Sequence, residues 1–138
     1  ADIFAASGVR LGLETGQESA ATLLDALEAL GHANVGVNFD PANMILYGMG
    51  DPVEAITVLK DTVVQVHAKD AIASTSPGEW GSEVPLGSGE VDWDAFLQVV
   101  VEFDPALDVV IEREAGEQRE VDITVAQSRL LGKTVASN

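Results

Sequence analysis

The sequence predicts an α/β fold, a (βα)4 arrangement in which four parallel strands, each followed by a helix, form half of a β/α barrel. Short β-branched runs alternate with amphipathic segments, a pattern typical of parallel strands joined by right-handed crossovers. Each run also ends on an acidic or imidazole side chain, at Glu14, Asp40, His67 and Glu112. A complete barrel usually needs about 250 residues. The chain has 138, which is enough for half of one.

Glycine stops and apolar spacing define the first unit. Residues 1–8 are typical of a helix end, with Gly8 as the stop, and a strand is predicted over residues 9–15. Apolar residues then recur at helical spacing over residues 18–30, which predicts a crossover helix that Gly31 terminates. The positions expected on its buried face are Ala20, Leu23, Leu24, Leu27 and Leu30.

The second unit begins with a strand over residues 35–40, which leads into the segment PANMILYGMG. A helix of about ten residues is predicted after it, through Lys60. Asp51 is its expected N-cap, Pro52 occupies its first turn, and Glu54 adds an acid three residues after the cap.

The third unit has a strand over residues 63–67, followed by a long segment rich in glycine that runs from Lys69 to Glu90. We predict this segment to be a loop, and loops of that length without secondary structure are usually functional. Asp92 then caps a helix. The apolar face of this helix is predicted to consist of Phe96, Val99, Val100 and Phe103.

The fourth unit has a strand over residues 108–112 and a last helix over about residues 120–131, which ends at Gly132 with Lys133 nearby. No composition shift or linker divides the chain. Residues 1–138 are therefore predicted to form a single partial barrel domain.

Composition restricts the function classes. The net charge of −16 argues against a nucleic-acid partner, because phosphate binding depends on lysine and arginine. No run approaches the roughly 20 apolar residues of a membrane span and no signal peptide is visible, so we expect a soluble, cytoplasmic protein with no membrane partner. Cysteine is absent, which excludes disulfides and thiolate metal sites.

The four strand-end residues suit a divalent cation. Charged side chains that point into a barrel are costly unless they are compensated, and a cation compensates three carboxylates and an imidazole. Such a donor set favours Mn²⁺, Mg²⁺, Co²⁺ or Zn²⁺, of which we expect Mn²⁺. Glu114 shares a strand face with Glu112 and is an alternative ligand. The competing interpretation is that all four are ordinary strand-end residues exposed to water.

Five segments, in order, resemble one known group, the sugar phosphate isomerases/epimerases of the xylose isomerase-like TIM-barrel superfamily. They are LGLETGQ, VGVNFDPANMILYG, VHAKDA, WGSEVPLGSGEVDW and VVIEREAG, and the likeness extends over about residues 9–131. The resemblance implies that the chain corresponds to strands 5 to 8 of the barrel. It also implies that Glu14, Asp40, His67 and Glu112 bind the metal and that the two glutamates transfer protons.

The same superfamily contains a branch of DNA-repair endonucleases with three zinc ions, and this chain lacks that branch's additional histidines. The resemblance places Asn43 where the branch has a histidine three residues after the aspartate. No histidine occurs between Asp70 and Val91, where the branch has an Asp-x-His pair. The negative charge opposes the nuclease interpretation as well.

Three further residues are candidates for contacts with a sugar or sugar phosphate. Lys69 is interpreted either as a contact to a substrate oxygen or phosphate or as a solvated charge. Asn43 either lines the pocket or caps the turn after Pro41, and Trp80 either covers the sugar ring or simply packs.

The expected reaction is proton abstraction next to a carbonyl, through an enediolate, by an isomerase or epimerase. A dehydratase that acts on an inosose would begin in the same way and then expel hydroxide. Two other interpretations stay open, a catalytically silent half-barrel fragment and a sugar-binding module. An open half barrel exposes two strand edges, so we expect either a homodimer or the missing N-terminal half of the barrel as partner.

Overall fold

The computed structural model describes the backbone of residues 1–135 and the side chains of residues 1–132. Its main sheet has four parallel strands in the order β1-β2-β3-β6, and its second sheet is a small antiparallel pair, β4-β5. The strands are β1 (Leu11–Glu14), β2 (Val35–Phe39), β3 (Val63–Ala68), β4 (Asp70–Ile72), β5 (Ser82–Val84) and β6 (Val109–Ile111).

Helices occupy the connections between the parallel strands, as expected for crossover units. The helices are α1 (Asp2–Ala5), α2 (Ala20–Leu30), α3 (Pro41–Leu46), α4 (Pro52–Leu59), α5 (Trp93–Phe103) and α6 (Arg119–Val135), of which α1 precedes the first strand and α6 follows the last. The (βα)4 half barrel predicted from the sequence is therefore confirmed. Within the described residues, no helix is long and apolar enough to cross a membrane.

Side-chain caps determine where most of these helices begin. Ser19, Asp40, Asp51 and Asp92 each accept a hydrogen bond from a backbone N–H of the first turn, which satisfies donors that have no partner inside the helix. The predicted caps Asp51 and Asp92 are confirmed. Gly31 ends α2 at φ 60°, a left-handed conformation that glycine adopts at little cost.

The core lies between the outer face of the main sheet and the helices α3, α4 and α5. Phe39, Val66 and Phe96 have no exposed surface, and the rings of Phe39 and Phe96 are 5.7 Å apart. The predicted apolar face of α5 is confirmed. On α2, Leu23 is buried and Ala20, Leu24 and Leu27 pack against the core as predicted, but Leu30 is 53% exposed and was wrongly assigned to the buried face.

Two elements were not predicted from the sequence. The segment after Asp40 forms the helix α3, and the segment between Lys69 and Glu90 contains the hairpin β4-β5. The prediction of an unstructured loop was therefore wrong. Runs of three residues such as β4 and β5 are too short to show a hydrophobic period, and their pairing is determined by tertiary contacts.

Some boundaries also differ from the prediction. The first strand begins at Leu11, and the fourth spans only Val109–Ile111. The last helix does not end at Gly132 but continues to Val135, because a single glycine lowers helix stability without breaking it. The predicted position of Lys133 relative to the helix end lies outside the described side chains.

The strands β1 and β6 form the two edges of the main sheet as described. Leu13 on β1 is 43% exposed and Val110 on β6 is 42% exposed, so apolar surface is present at both edges. Unpaired edges of parallel strands are unusual in isolated domains, because their backbone groups can pair with another chain.

Candidate metal centre

Four side chains meet at the carboxyl ends of the parallel strands, and we call Glu14, Asp40, His67 and Glu112 the ligand cluster. Each can offer one oxygen or nitrogen atom such that all four atoms lie within 4.8 Å of one another. Three members end or directly follow a strand, and His67 lies one residue before the end of β3. The parallel topology brings them together, because strands that run in the same direction have their carboxyl ends at one edge of the sheet.

The imidazole of His67 lies at the centre of the ligand cluster. Its Nδ1 is 3.3 Å from Glu14 Oε1, 3.1 Å from Glu112 Oε2 and 4.0 Å from Asp40 Oδ2. All three carboxylates therefore approach the same ring nitrogen. The sequence prediction that these four residues converge agrees with this geometry.

The two carboxylate oxygens of Asp40 lie in different environments. Oδ1 accepts hydrogen bonds from the backbone N–H groups of Ala42 (2.8 Å) and Asn43 (3.2 Å) and thereby caps α3. Oδ2 is buried and has no hydrogen-bond partner. Burial raises the pKa of Asp40 to about 7, although the nearby ammonium of Lys69 acts in the opposite direction.

The residues fit a divalent cation. Asp40 Oδ2 and His67 Nδ1 are both buried atoms without a hydrogen-bond partner, and both point towards the same space. Buried polar atoms without a partner are rare and call for an explanation. A set of three carboxylates and one imidazole is typical of Mn²⁺, Mg²⁺, Co²⁺ or Zn²⁺ sites.

Two neighbours fix the orientation of the carboxylates. The Thr15 hydroxyl donates to the backbone oxygen of Asp40 (3.0 Å) and accepts from its N–H (2.9 Å). Asn43, predicted as a substrate contact or a turn cap, donates from Nδ2 to the Thr15 backbone oxygen (2.9 Å) and to Glu14 Oε1 (3.3 Å). Asn43 is 7% exposed and therefore positions Glu14 from beside the ligand cluster.

Lys69 is not a solvated charge, because only 4% of it is exposed. Its Nζ donates to Glu112 Oε2 (3.2 Å) and Glu114 Oε2 (2.5 Å) and lies 3.7 Å from Asp40 Oδ2. Burial disfavours the ammonium, but these carboxylates outweigh burial and raise the pKa of Lys69 above its ordinary value. Lys69 is therefore a fixed positive charge beside the ligand cluster.

Glu114, the alternative ligand, lies outside the ligand cluster. The hydrogen bond and charge of Lys69 lower its pKa, and its side chain is 67% exposed. The strand-face argument correctly placed Glu112 and Glu114 near one another, but their shared partner is Lys69.

Trp80 lies on the segment that joins the two strands of the hairpin. It is 65% exposed, and its ring meets the ring of Tyr47 edge-on at 5.2 Å. The adjacent Gly81 N–H donates to the Leu46 backbone oxygen (2.8 Å), which ties this segment to the end of α3. The aromatic side chain is therefore held at the surface by a defined contact.

Sequence reasoning missed Asp70, a buried carboxylate that organises the segment before α5. It accepts hydrogen bonds from the N–H groups of Ala71, Gly87, Gly89 and Val91 and from the indole N–H of Trp93. Gly87 and Gly89 thus bind this internal carboxylate through their backbone N–H groups. The available signal was an acid two residues after the third strand, followed by two glycines one residue apart.

Asn38 contacts the ligand cluster from the inner face of β2. Its Nδ2 is 2.9 Å from His67 Nε2, while its Oδ1 is buried without a hydrogen-bond partner. It also lines a cleft of about 210 Å³ inside the half barrel. Asn38 lies two residues before Asp40, and sequence reasoning gave it no role.

Comparisons with known proteins agree with this architecture. A solved xylose isomerase domain protein from Planctomyces limnophilus is 40% identical with a TM-score of 0.90, and the match covers 97% of this chain and 50% of that one. No curated protein sequence gave a significant match.

Two more distant structures share the fold. The probable 3-DHS dehydratase AsbF from Bacillus anthracis, involved in petrobactin synthesis, is 20% identical with a TM-score of 0.73, over 91% of this chain and 51% of that one. An L-ribulose 3-epimerase is 21% identical with a TM-score of 0.67, over 93% of this chain and 42% of that one. The chain thus spans about half the length of the solved chains it matches.

The family model described as xylose isomerase-like TIM barrel matches residues 1–132, which is nearly the whole chain. The resemblance noted in the sequence is therefore confirmed at the level of fold and family. Because this match agrees with the parallel half barrel and the site at its strand ends, the chain belongs to the xylose isomerase-like TIM barrel family.

Proposed function

We propose that this chain supplies the metal-binding half of a sugar isomerase or epimerase that acts by proton abstraction next to a carbonyl. The observation that carries the proposal is the convergence of three carboxylates on His67 Nδ1, together with the buried, unpartnered oxygen of Asp40. The expected substrate is a sugar or sugar phosphate. Mn²⁺ is the proposed cation, with Mg²⁺, Co²⁺ and Zn²⁺ as alternatives.

The ligand cluster would hold the cation through its carboxylate oxygens and His67 Nδ1. When bound, the cation supplies positive charge that stabilises the enediolate oxygens formed after proton loss. Glu14 and Glu112 reach this place from different strands, β1 and β6, and are therefore suited to act on the substrate from different directions. One of them takes the proton and the other returns it.

Neighbouring residues hold the side chains of Glu14 and Glu112 in place for this proton transfer. Asn43 holds Glu14 through a neutral amide, whereas Lys69 holds Glu112 through an ammonium. Lys69 is also close enough to the ligand cluster to contact a substrate oxygen or phosphate, as proposed from the sequence. Trp80 is exposed and remains the proposed cover for the sugar ring.

A closed barrel requires four further strands. We propose that residues 1–138 correspond to its strands 5 to 8 and that the missing N-terminal half pairs with the edges β1 and β6. A homodimer that closes a barrel from two copies is the alternative. Sedimentation equilibrium distinguishes the two, because only the second predicts a dimer of the chain by itself.

The test combines cation binding with proton exchange. We expect isothermal titration to show one Mn²⁺ per chain, and NMR to show that the loaded chain exchanges substrate protons with deuterium oxide across a panel of ketoses and ketose phosphates. Glu14→Gln and Glu112→Gln should each abolish exchange, whereas Glu28→Gln on the exposed side of α2 should not.

Each alternative has its own outcome. Cation binding without exchange would identify a catalytically silent half barrel, and sugar binding that survives both glutamine substitutions would identify a sugar-binding module. Release of water from an inosose would favour a dehydratase, an activity for which a distant relative of the same fold is named. Failure to bind any divalent cation would overturn the proposal.

A further inference from the structure

The contact between Asn38 and His67 raises the question of which ring nitrogen carries a proton. Asn38 Nδ2 lies 2.9 Å from His67 Nε2, and an amide nitrogen can only donate. Nε2 must then accept, so the proton of a neutral imidazole resides on Nδ1. Glu14 Oε1 (3.3 Å) and Glu112 Oε2 (3.1 Å) are carboxylate oxygens close to Nδ1, but neither is aligned to form a hydrogen bond with it.

A cation needs the opposite tautomer. Nδ1 is the nitrogen that faces the carboxylates, so it must present a lone pair to any cation that the ligand cluster holds. The proton then belongs on Nε2, where it requires an acceptor. Asn38 Oδ1 is buried and has no hydrogen-bond partner, and half a turn of the amide brings it to the position of Nδ2.

We propose that Asn38 is a positioning residue that sets the tautomer of His67, and that its amide reverses when a cation binds. With Oδ1 facing Nε2, the amide accepts the imidazole proton and directs the Nδ1 lone pair at the cation. Metal-ligating histidines usually donate their other N–H to an oxygen in this way. The inference rests on the proposed metal site and assigns an additional residue to it.

The surroundings of Asn38 give the amide room to turn. It borders the cleft of about 210 Å³, and the neighbouring strand presents Gly12 there instead of a side chain. A Cβ added to Gly12 would lie 3.1 Å from Asn38 Cβ, so even alanine would crowd this position. The Asn38 amide can therefore turn between its two orientations, with Nδ2 or with Oδ1 facing His67, in a partly open space.

The test compares two substitutions of Asn38 with a control in the same cleft. Asn38→Ala removes the acceptor and should weaken Mn²⁺ binding by about 10-fold or more, within the range known for outer-shell partners of metal ligands. Asn38→Asp retains an acceptor and should bind within about 3-fold of the parent. The control is Gln65→Ala. Gln65 lines the same cleft but has no hydrogen bond to the ligand cluster among the described residues, so this variant should bind Mn²⁺ like the parent.

A spectroscopic readout separates a tautomer effect from a loss of packing. Two-bond ¹⁵N–¹H correlation of the histidine side chains should show His67 with its proton on Nδ1 in chelator and on Nε2 with Mg²⁺, while His32 remains unchanged as internal reference. Thermal unfolding of each variant in chelator identifies any that fail to fold. If Asn38→Ala does not fold, the Mn²⁺ affinity of Asn38→Asp and the spectra of the parent decide whether Asn38 sets the tautomer of His67.

The outcomes distinguish this inference from the proposed function. Equal Mn²⁺ affinity for Asn38→Ala and the parent, or a proton that stays on Nδ1 with Mg²⁺ bound, would overturn the role of Asn38 and leave the metal site in place. A parent chain that binds neither cation would overturn both.

Discussion

Thr15 and Asp40 bind each other reciprocally across the ends of β1 and β2. The Thr15 hydroxyl donates to the Asp40 backbone oxygen and accepts from the Asp40 N–H, at 3.0 and 2.9 Å. Both residues are almost completely buried. Two neighbouring strand ends are thereby joined at the residue that contributes the buried carboxylate of the ligand cluster.

Thr15→Val should therefore reduce both stability and cation affinity. The substitution keeps the shape but leaves two buried backbone groups of Asp40 without partners, at a cost of about 1–3 kcal/mol in the free energy of unfolding. Thr15→Ser retains the hydroxyl and should cost less. Urea unfolding and Mn²⁺ titration of the two variants measure these effects, and equal loss in both would show that the methyl group matters as much as the hydroxyl.

Asp40→Asn should have opposite effects on cation binding and on the stability of the metal-free chain. The pKa of Asp40 in the folded chain, about 7, lies above the ordinary value of 3.8, so the buried carboxylate disfavours folding as the pH rises from about 4 to above 7. Asparagine still caps α3 but carries no charge.

We therefore expect Asp40→Asn to be more stable than the parent in chelator at pH 8, by at least about 1 kcal/mol, with a smaller gain at pH 5. It should bind Mn²⁺ at least about 10-fold more weakly. Urea unfolding at both pH values in chelator provides the comparison. A gain that does not depend on pH would mean that the charge of Asp40 is not its source.

Lys69→Met should destabilise the metal-free chain and improve cation binding. The ammonium compensates Glu112, Glu114 and Asp40, so its loss leaves carboxylates that repel one another. The same loss removes a positive charge that competes with the cation. Excess Mn²⁺ should therefore raise the melting temperature of Lys69→Met by more than that of the parent.

Lys60→Met, at the exposed end of α4, is the matched control and should change neither property. If Lys69→Met instead weakened Mn²⁺ binding, the ammonium would be needed to keep the carboxylates in place. Melting curves with and without Mn²⁺ decide between these outcomes.

Asp70→Ala should be severely destabilising without direct involvement in cation binding. Its carboxylate satisfies four backbone N–H groups and the indole of Trp93, and hydrogen bonds to charged groups contribute about 1.5–3 kcal/mol each. We expect a loss of at least about 3 kcal/mol in the free energy of unfolding. Asp25→Ala on the exposed surface of α2 should change it by less than about 0.5 kcal/mol.

The sequence was sufficient to predict the four parallel units and the convergence of the ligand cluster. Strand-end position places Glu14, Asp40 and Glu112 at one edge of a parallel sheet, because strands that alternate with crossover helices run in the same direction and have their carboxyl ends together. Local signals also identified the caps Asp51 and Asp92, since capping depends on residues within one turn.

Only the tertiary structure showed what each of these side chains contacts. The side-chain hydrogen bonds of Asn43, the ion pairs of Lys69, four of the five donors around Asp70 and the contact of Asn38 with His67 join residues far apart in the chain. Such contacts depend on how the strands align and which groups are buried, and no local pattern encodes that. The sequence thus determined the fold and the side chains of the ligand cluster, whereas packing determined which groups these side chains contact and where their protons lie.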